Sequence, residues 1–104
     1  MKAAKRKKLE TAGWRVGSAA TFLGLDDDEA AFVELKLALG QTLREWRTRR
    51  NLSQSDLARL LGSSQSRVAK MEAADATVSM DLMVRSLLKL GASPRDIARA
   101  IARG

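Results

Sequence analysis

Amide, hydroxyl and cationic side chains cluster in one stretch of the chain, residues 53–72. The members of this cluster are Gln65, Ser66, Arg67 and Lys70. We predict that all four side chains face away from the apolar side of their helix. Amide and guanidinium groups pair bidentately with the edges of adenine and guanine. A short helix that carries these groups at its start is therefore suited to entering the major groove of DNA.

The pattern of residues 53–72 predicts two short helices joined by a tight turn. Ser53 is a good N-cap for the first helix, and Asp56 three residues later completes a capping-box pair. Gly62 ends this helix, because glycine adopts left-handed backbone angles without a Cβ penalty. Ser64 caps the second helix. The apolar positions that we expect to be buried are Leu57, Ala58, Leu61, Val68 and Met71.

The composition of the 104-residue chain argues against catalysis. It contains no cysteine, histidine or tyrosine. The missing cysteines exclude a disulfide, a thiolate metal site and a thiol nucleophile. The missing histidines remove the commonest general base and metal ligand. Carboxylates or lysine alone would have to do any chemistry, so we expect no enzymatic activity, no metal and no cofactor.

The net charge of +7 indicates a polyanionic partner, either nucleic acid or an anionic membrane. The alternative is that the charge only keeps a small protein in solution. No apolar run approaches the roughly 18 residues of a membrane span, and the start of the chain lacks the apolar core of a signal peptide. We therefore expect a cytoplasmic protein without membrane contact.

We divide the chain into a basic, partner-binding extension over residues 1–25 and a DNA-binding domain over residues 26–104. Residues 1–12 form a lysine- and arginine-rich tail, for which a frayed terminus is an equal interpretation. Trp14 either folds onto its own domain or anchors a partner, because tryptophan is enriched at binding hot spots. Residues 18–23 predict a short helix that ends at Gly24.

A long helix is predicted from Asp27 to about Arg50. The acidic run over residues 26–29 resembles a metal loop, but its consecutive side chains diverge around a helix turn, so we interpret it as a cap. Gly40 marks either a bend or a close approach. The first half of the helix is apolar all round, so its own bundle, a second subunit or another protein must cover it. The main apolar positions are Phe32, Leu35, Leu39, Leu43 and Trp46.

Two further helices complete the predicted domain. Ser79 caps the first, and its expected apolar stripe is Met80, Met83, Val84, Leu87 and Leu88. Ser93 and Pro94 begin the last helix as N-cap and first residue. Its small apolar face, which contains Ile97 and Ile101, docks either on its own domain or on a symmetry mate, and we expect it to form a dimer interface.

The segment LSQSDLARLLGSSQSRVAKME, residues 52–72, resembles the helix–turn–helix of the Cro/phage-repressor (XRE) family. The similarity covers residues 39–91. It implies an all-α fold, a five-helix Cro/phage-repressor-like helix–turn–helix bundle, to which this chain adds an N-terminal extension and a short helix. It also implies a homodimer on a palindromic double-stranded DNA operator, because two half-sites are needed for useful affinity.

The resemblance also implies roles for individual residues. Gln54 would contact phosphate and brace Gln65, while Arg47 would pair with Glu72. The residues expected to contact DNA bases are Gln65, Ser66 and Lys70. Those expected to contact the DNA backbone are Gln54, Ser64, Arg67, Arg47 and Arg50, the last two from the basic end of the long helix.

The segment WRVGSAATFLGLDDDEAAFVELKLALGQTLREWR, residues 14–47, resembles the N-terminal half of HigA-type antitoxins. This resemblance implies a RelE/HigB-like mRNA-cleaving toxin as partner and repression of the protein's own operon. The expected toxin-binding residues are Trp14, Val16, Phe22, Leu23, Phe32 and Leu35. The alternatives are a stand-alone repressor that dimerises through residues 1–37, a module that binds only proteins, and a helical hairpin that binds nothing.

Overall fold

The computed structural model describes residues 26–103, which form five α-helices and no strand. These helices are α1 (Asp27–Arg49), α2 (Gln54–Leu61), α3 (Gln65–Glu72), α4 (Met80–Lys89) and α5 (Pro94–Arg103). The predicted all-α architecture is confirmed. The short helix predicted over residues 18–23 lies outside the described residues. Across the described range, none of the helices is both long enough and apolar enough to cross a membrane.

The first helix begins where the acidic run predicted a cap. The Asp26 Oδ1 atom accepts a hydrogen bond of 2.7 Å from the backbone N–H of Glu29. The acidic residues of the first turn stand at the positive end of the helix dipole, where negative charge is favourable. The interpretation of the run as a cap is therefore confirmed.

The described residues fall into two units. A compact unit begins at Lys36, and the first turns of α1 belong to a separate unit.

Local capping defines both helices of the central motif. Ser53 and Asp56 form the predicted capping box, in which each side chain accepts a hydrogen bond from the backbone of the other residue. Gly62 follows α2 with φ of +64°, in the left-handed region that favours glycine. The Ser64 hydroxyl caps α3 by accepting from the N–H of Arg67 at 3.1 Å. The turn between α2 and α3 is therefore determined by residues 62–64.

Serine caps also begin the last two helices, as predicted. The Ser79 hydroxyl accepts from the N–H of Leu82 at 3.1 Å. Ser93 and Asp96 form a second capping box, with bonds of 2.8 and 3.1 Å. At its other end α5 is tied to α1, because the Arg103 guanidinium binds both carboxylate oxygens of Glu45, at 2.8 and 3.2 Å.

The core of the compact unit draws on all five helices, since Ala100 of α5 is buried in it as well. Its fully buried large side chains are Leu39, Leu43, Leu57, Val68, Met71, Met83 and Leu87. Ile97 and Ile101 of α5 are partly buried against this core. The apolar stripe predicted for α4 wrongly included Leu88, whose side chain is 46% exposed. Leu87 and Leu90 already fill the core at this end of α4, and Leu88 points about 100° away from Leu87 on the helix.

Two residues of α1 hold this helix close to the end of α3. A Cβ atom added to Gly40 would lie 2.7 Å from the carbonyl oxygen of Met71 and 2.9 Å from that of Glu72, so only glycine fits. The buried Lys36 side chain donates from Nζ to the Asp75 carbonyl oxygen at 2.8 Å, just beyond the same helix end. The close approach that Gly40 predicted as one of two alternatives is therefore present.

Candidate nucleic-acid interface

The third helix exposes a polar face and buries an apolar one. Val68 and Met71 are fully buried against the core. The four polar side chains predicted to point outward are all exposed, and they are Gln65, Ser66, Arg67 and Lys70. The separation follows from the 3.6-residue period, which puts the two buried residues on one side of a helix of only eight residues.

A partly buried ion pair joins α1 to the end of α3. The Arg47 Nε atom lies 2.5 Å from Glu72 Oε2, and Nη2 donates to Oε1 at 3.0 Å. The Arg47 Nη1 atom also donates to the carbonyl oxygen of Leu52 at 2.8 Å. The side chains are only 12% and 6% exposed. The hydrogen bonds with Glu72 raise the pKa of Arg47, so its guanidinium stays charged. The predicted pairing is confirmed.

Hydrogen bonds extend this pair to the first residue of α3. Gln54 Nε2 donates to Glu72 Oε1 at 3.1 Å, and Gln65 Nε2 donates to Gln54 Oε1 at 2.6 Å. The order of donors follows from chemistry, because an ionised carboxylate only accepts hydrogen bonds. Gln54 must therefore turn its NH₂ group toward Glu72 and its carbonyl toward Gln65. Within residues 26–103, no other hydrogen bond occupies the second N–H or the carbonyl oxygen of the exposed Gln65 side chain.

A small cleft lies beside this network on the side of α1. Its volume is about 300 Å³, and it is lined by Arg44, Arg47, Gln54, Ala69, Glu72 and Ala73. Arg44 is exposed, and it lines the cleft together with Gln54. The sequence did not single out Arg44 among the basic residues of its segment. Its position three residues before Arg47, on the same helix face, could have indicated that Arg44 lies beside this network.

Comparison with known protein families identifies this arrangement. The family model described as a helix-turn-helix domain matches residues 38–101, which is more than half of the chain. The chain belongs to this helix-turn-helix family. It is therefore an XRE-like DNA-binding regulator, and members of the family are typically not enzymes. No curated protein and no solved structure matches the chain.

The helix-turn-helix domain brings most of the predicted DNA-contacting residues together on α2 and α3. Ser64 and Arg67 stand at the start of α3 beside Gln65 and Ser66, and Gln54 and Arg47 belong to the hydrogen-bonded network. Arg50 has a different setting. Its guanidinium lies 4.6 Å from the centre of the Trp46 ring and donates to the Trp46 carbonyl oxygen at 3.3 Å.

The other predicted contact residues lie elsewhere. Phe32 is 49% exposed and Leu35 is half-buried on the early turns of α1, which precede the segment that matches the family. Four toxin-binding candidates fall outside the described residues, and these are Trp14, Val16, Phe22 and Leu23. Ile97 and Ile101 lie on α5, where their own domain covers part of each side chain. Among residues 26–103, no three acidic side chains are grouped to hold a metal ion.

Proposed function

We propose that this protein is a sequence-specific DNA-binding antitoxin. It binds a palindromic operator as a homodimer, represses its own operon and neutralises a RelE/HigB-like mRNA-cleaving toxin. It acts in the bacterial cytoplasm, at the nucleoid when bound to DNA. The observation that carries the DNA half is the hydrogen-bonded chain from Arg47 through Glu72 and Gln54 to Gln65.

This series of hydrogen bonds supports base recognition because it holds the Gln65 side chain in one orientation. The groups that Gln65 leaves free are a donor and an acceptor side by side. They match the N7 acceptor and N6 amino donor that adenine shows in the major groove. Ser66 and Lys70 lie on the same exposed face and would contact neighbouring bases. Since the Gln65 amide is already hydrogen-bonded to Gln54, less rotamer freedom is lost when it binds a base, and binding costs less conformational entropy.

Cations and hydroxyl groups around this face support the placement of the DNA backbone. Gln54 would hold a phosphate on the side of α3 that faces α1, and Ser64 and Arg67 would do so on the side that faces α4. Arg47 and Arg50 would add positive charge from the last turn of α1 and the residue after it. Arg44, at the cleft beside Gln54, joins this set. Such contacts orient the domain on the duplex and leave the choice of sequence to Gln65, Ser66 and Lys70.

The DNA half is tested by mobility shift with the DNA upstream of the gene. We expect Gln65→Ala with Lys70→Ala to abolish the specific shift, because a good base contact contributes about 1–3 kcal/mol of discrimination. The matched control is Gln41→Ala with Arg95→Ala, which removes one amide and one cation from exposed positions on α1 and α5. If the Gln65/Lys70 variant binds as well as this control, α3 is not the recognition helix.

The antitoxin half is supported by apolar surface that the DNA-binding unit does not need. The core of the compact unit begins at Leu39, and the family match begins at residue 38. Phe32 and Val33 nevertheless expose 49% and 40% of their surface on the preceding turns of α1. Exposed aromatic and aliphatic side chains together are typical of a protein-binding surface. The proposed toxin contacts are Phe32 and Leu35, together with Trp14, Val16, Phe22 and Leu23.

A growth assay tests this half. We expect the reading frame next to the gene to encode a small basic toxin, whose expression stops growth and whose co-expression with this protein restores it. Deletion of residues 1–25, or Phe32→Ala alone, should lose rescue and keep DNA binding. Leu60→Ala is the control, since Leu60 is 62% exposed on α2. Rescue by the deletion variant would show that residues 1–25 do not bind the toxin.

The second candidate is a stand-alone repressor of the same family. It is favoured by the completeness of the compact unit from Lys36 onward, which contains the whole helix–turn–helix and its core. Such a protein would use residues 1–37 for dimerisation. A neighbouring frame that encodes no toxin, together with loss of dimers on removal of residues 1–25, would select this alternative.

A further inference from the structure

A cavity of about 410 Å³ separates the turn before α3 from the C-terminal half of α4. On one side its wall contains Ser63, Ser64 and Arg67, and on the other Arg85 and Lys89. All of these except the partly buried Ser63 are exposed. The cavity thus begins at the cap of the recognition helix and ends on a helix outside the helix–turn–helix motif.

The residues of α4 that line this cavity recur at helical spacing. Leu82 and Ser86 form its inner part, while Arg85 and Lys89 stand at the rim. The buried Ser86 hydroxyl lies 2.8 Å from the Leu82 carbonyl oxygen and 3.4 Å from the sulfur of Met71 in α3. This packing holds α4 against α3, so the backbone positions of Arg85 and Lys89 are fixed relative to that of Arg67.

The wall carries three cations and no carboxylate. Outside the wall, Asp81 forms an ion pair with Arg85, in which its Oδ2 lies 3.2 Å from Arg85 Nε. Both side chains are about three-quarters exposed, so this pair contributes little to stability. It leaves the two terminal nitrogens of Arg85 able to bind an anion, and a guanidinium fork matches the geometry of phosphate oxygens.

We propose that Arg85 and Lys89 bind backbone phosphates of the same DNA that α3 recognises, so that α4 contributes to the interface. Ser64 and Arg67 line the cavity and directly adjoin Gln65 and Ser66, which would lie in the groove. A major groove about 12 Å wide is bordered by phosphates, so a strand that follows the groove edge at Ser64 and Arg67 would pass the mouth of this cavity. The inference rests on the proposed DNA binding and adds two contacts that the motif does not contain.

The salt dependence of binding measures these contacts directly. Each neutralised phosphate contributes about 0.9 to the slope of log K against log salt concentration. We expect Arg85→Gln with Lys89→Gln to lower the magnitude of this slope by about 1.8 on a mixed-sequence duplex, measured by fluorescence anisotropy with the full chain. Between 50 and 200 mM salt, the affinity of wild type then falls about 12-fold more than that of the variant.

Two controls separate position from total charge. Arg95→Gln with Arg99→Gln removes the same charge from exposed positions on α5, one of them paired with an acid as Arg85 is. Its slope should equal that of wild type, and Arg85→Lys with Lys89→Arg should keep most of the slope. An equal loss of slope in the α5 control would overturn the proposal, because general charge would then explain the effect.

The remaining outcomes are also decisive. An unchanged slope in the Arg85/Lys89 variant would overturn the proposal and leave the role of α3 intact. If wild type binds neither this duplex nor the upstream DNA, the proposed function itself fails. Inorganic phosphate alone, titrated while the Arg67 and Arg85 side-chain signals are followed by NMR, tests for a free anion. Saturable shifts combined with an unchanged slope would assign the cavity to a small anion instead of DNA.

Discussion

At the scale of single residues, Glu72 links three parts of the domain. It accepts hydrogen bonds from Arg47 of α1 and from Gln54 of α2, while its own backbone ends α3. A buried ion pair is weak evidence for stability, because desolvation offsets much of the attraction. The consequence that matters here is orientation, since the acceptor-only carboxylate determines which end of Gln54 faces Gln65.

We expect Glu72→Gln to destabilise the domain by about 3 kcal/mol, because it leaves the Arg47 charge partly buried without a counter-ion. Urea denaturation measures this loss. Arg47→Met with Glu72→Leu should recover most of the stability, since neither charge then remains. DNA affinity should stay low in that double variant, because Gln54 has lost its acceptor. Recovery of DNA affinity along with stability would contradict a positioning role for Glu72.

At the scale of helices, α1 passes close to the end of α3, and only glycine at position 40 allows this short distance. We expect Gly40→Ala to cost about 2 kcal/mol, although alanine is the better helix former by about 1 kcal/mol. The added Cβ would lie 2.7 Å from a backbone oxygen, which can move only if the helices separate. Gln41→Ala, at an exposed neighbouring position, should be nearly neutral. Equal thermal stability of the two variants would contradict the close crossing.

The capping boxes make the helices sensitive to acid. The Ser53 N–H donates to Asp56 and the Ser93 N–H donates to Asp96, at 2.9 and 2.8 Å. These backbone hydrogen bonds, helped by those with the serine hydroxyls, lower the pKa of both carboxyls. A lowered folded-state pKa means that the unfolded chain binds more protons. The stabilisation is therefore complete above the unfolded pKa, about 3.9, and is lost as pH falls through the folded value.

We therefore expect Asp56→Asn with Asp96→Asn to be less stable than wild type at neutral pH. The difference should shrink as the pH falls below about 4, because the wild-type carboxyls become protonated as well. Urea midpoints measured across this range check the prediction. A difference that stays constant down to the lowest pH would show that the carboxylate charge does not contribute to the caps.

At the scale of the whole molecule, α5 serves its own core and a proposed dimer. Ile97 and Ile101 are partly buried, so each retains some surface for a second copy. We expect the Tm of wild type to rise with protein concentration, because dimerisation stabilises the folded state by mass action. Ile97→Ala with Ile101→Ala should lower the Tm and remove its concentration dependence.

Leu61→Ala serves as the control for lost core packing, because Leu61 is also partly buried but lies on α2. It should lower the Tm and keep the concentration dependence. If the α5 variant keeps that dependence as well, the dimer forms through another surface, such as the exposed part of α4 around Leu88.

The amino-acid sequence by itself determined the local structure of this protein. Helix ends were predictable because a serine hydroxyl or a glycine at a helix terminus acts on backbone groups within four residues of it. The exposed face of α3 was predictable because only Val68 and Met71 repeat at helical spacing in that helix. The Arg47–Glu72 pairing followed from resemblance to a family, since residues 25 positions apart cannot be paired from local pattern alone.

Only the tertiary structure decided which distant surfaces meet. Three such features join segments that are separate in sequence: the contact of Gly40 with the end of α3, the hydrogen bond from Lys36 to Asp75 in the loop after α3, and the cavity shared by Arg67 and Arg85. The exposure of Leu88 has the same origin, because periodicity gives the width of an apolar stripe but not how much of it neighbours cover. Helix packing is a property of facing side-chain shapes, and these are defined only when the helices are brought together.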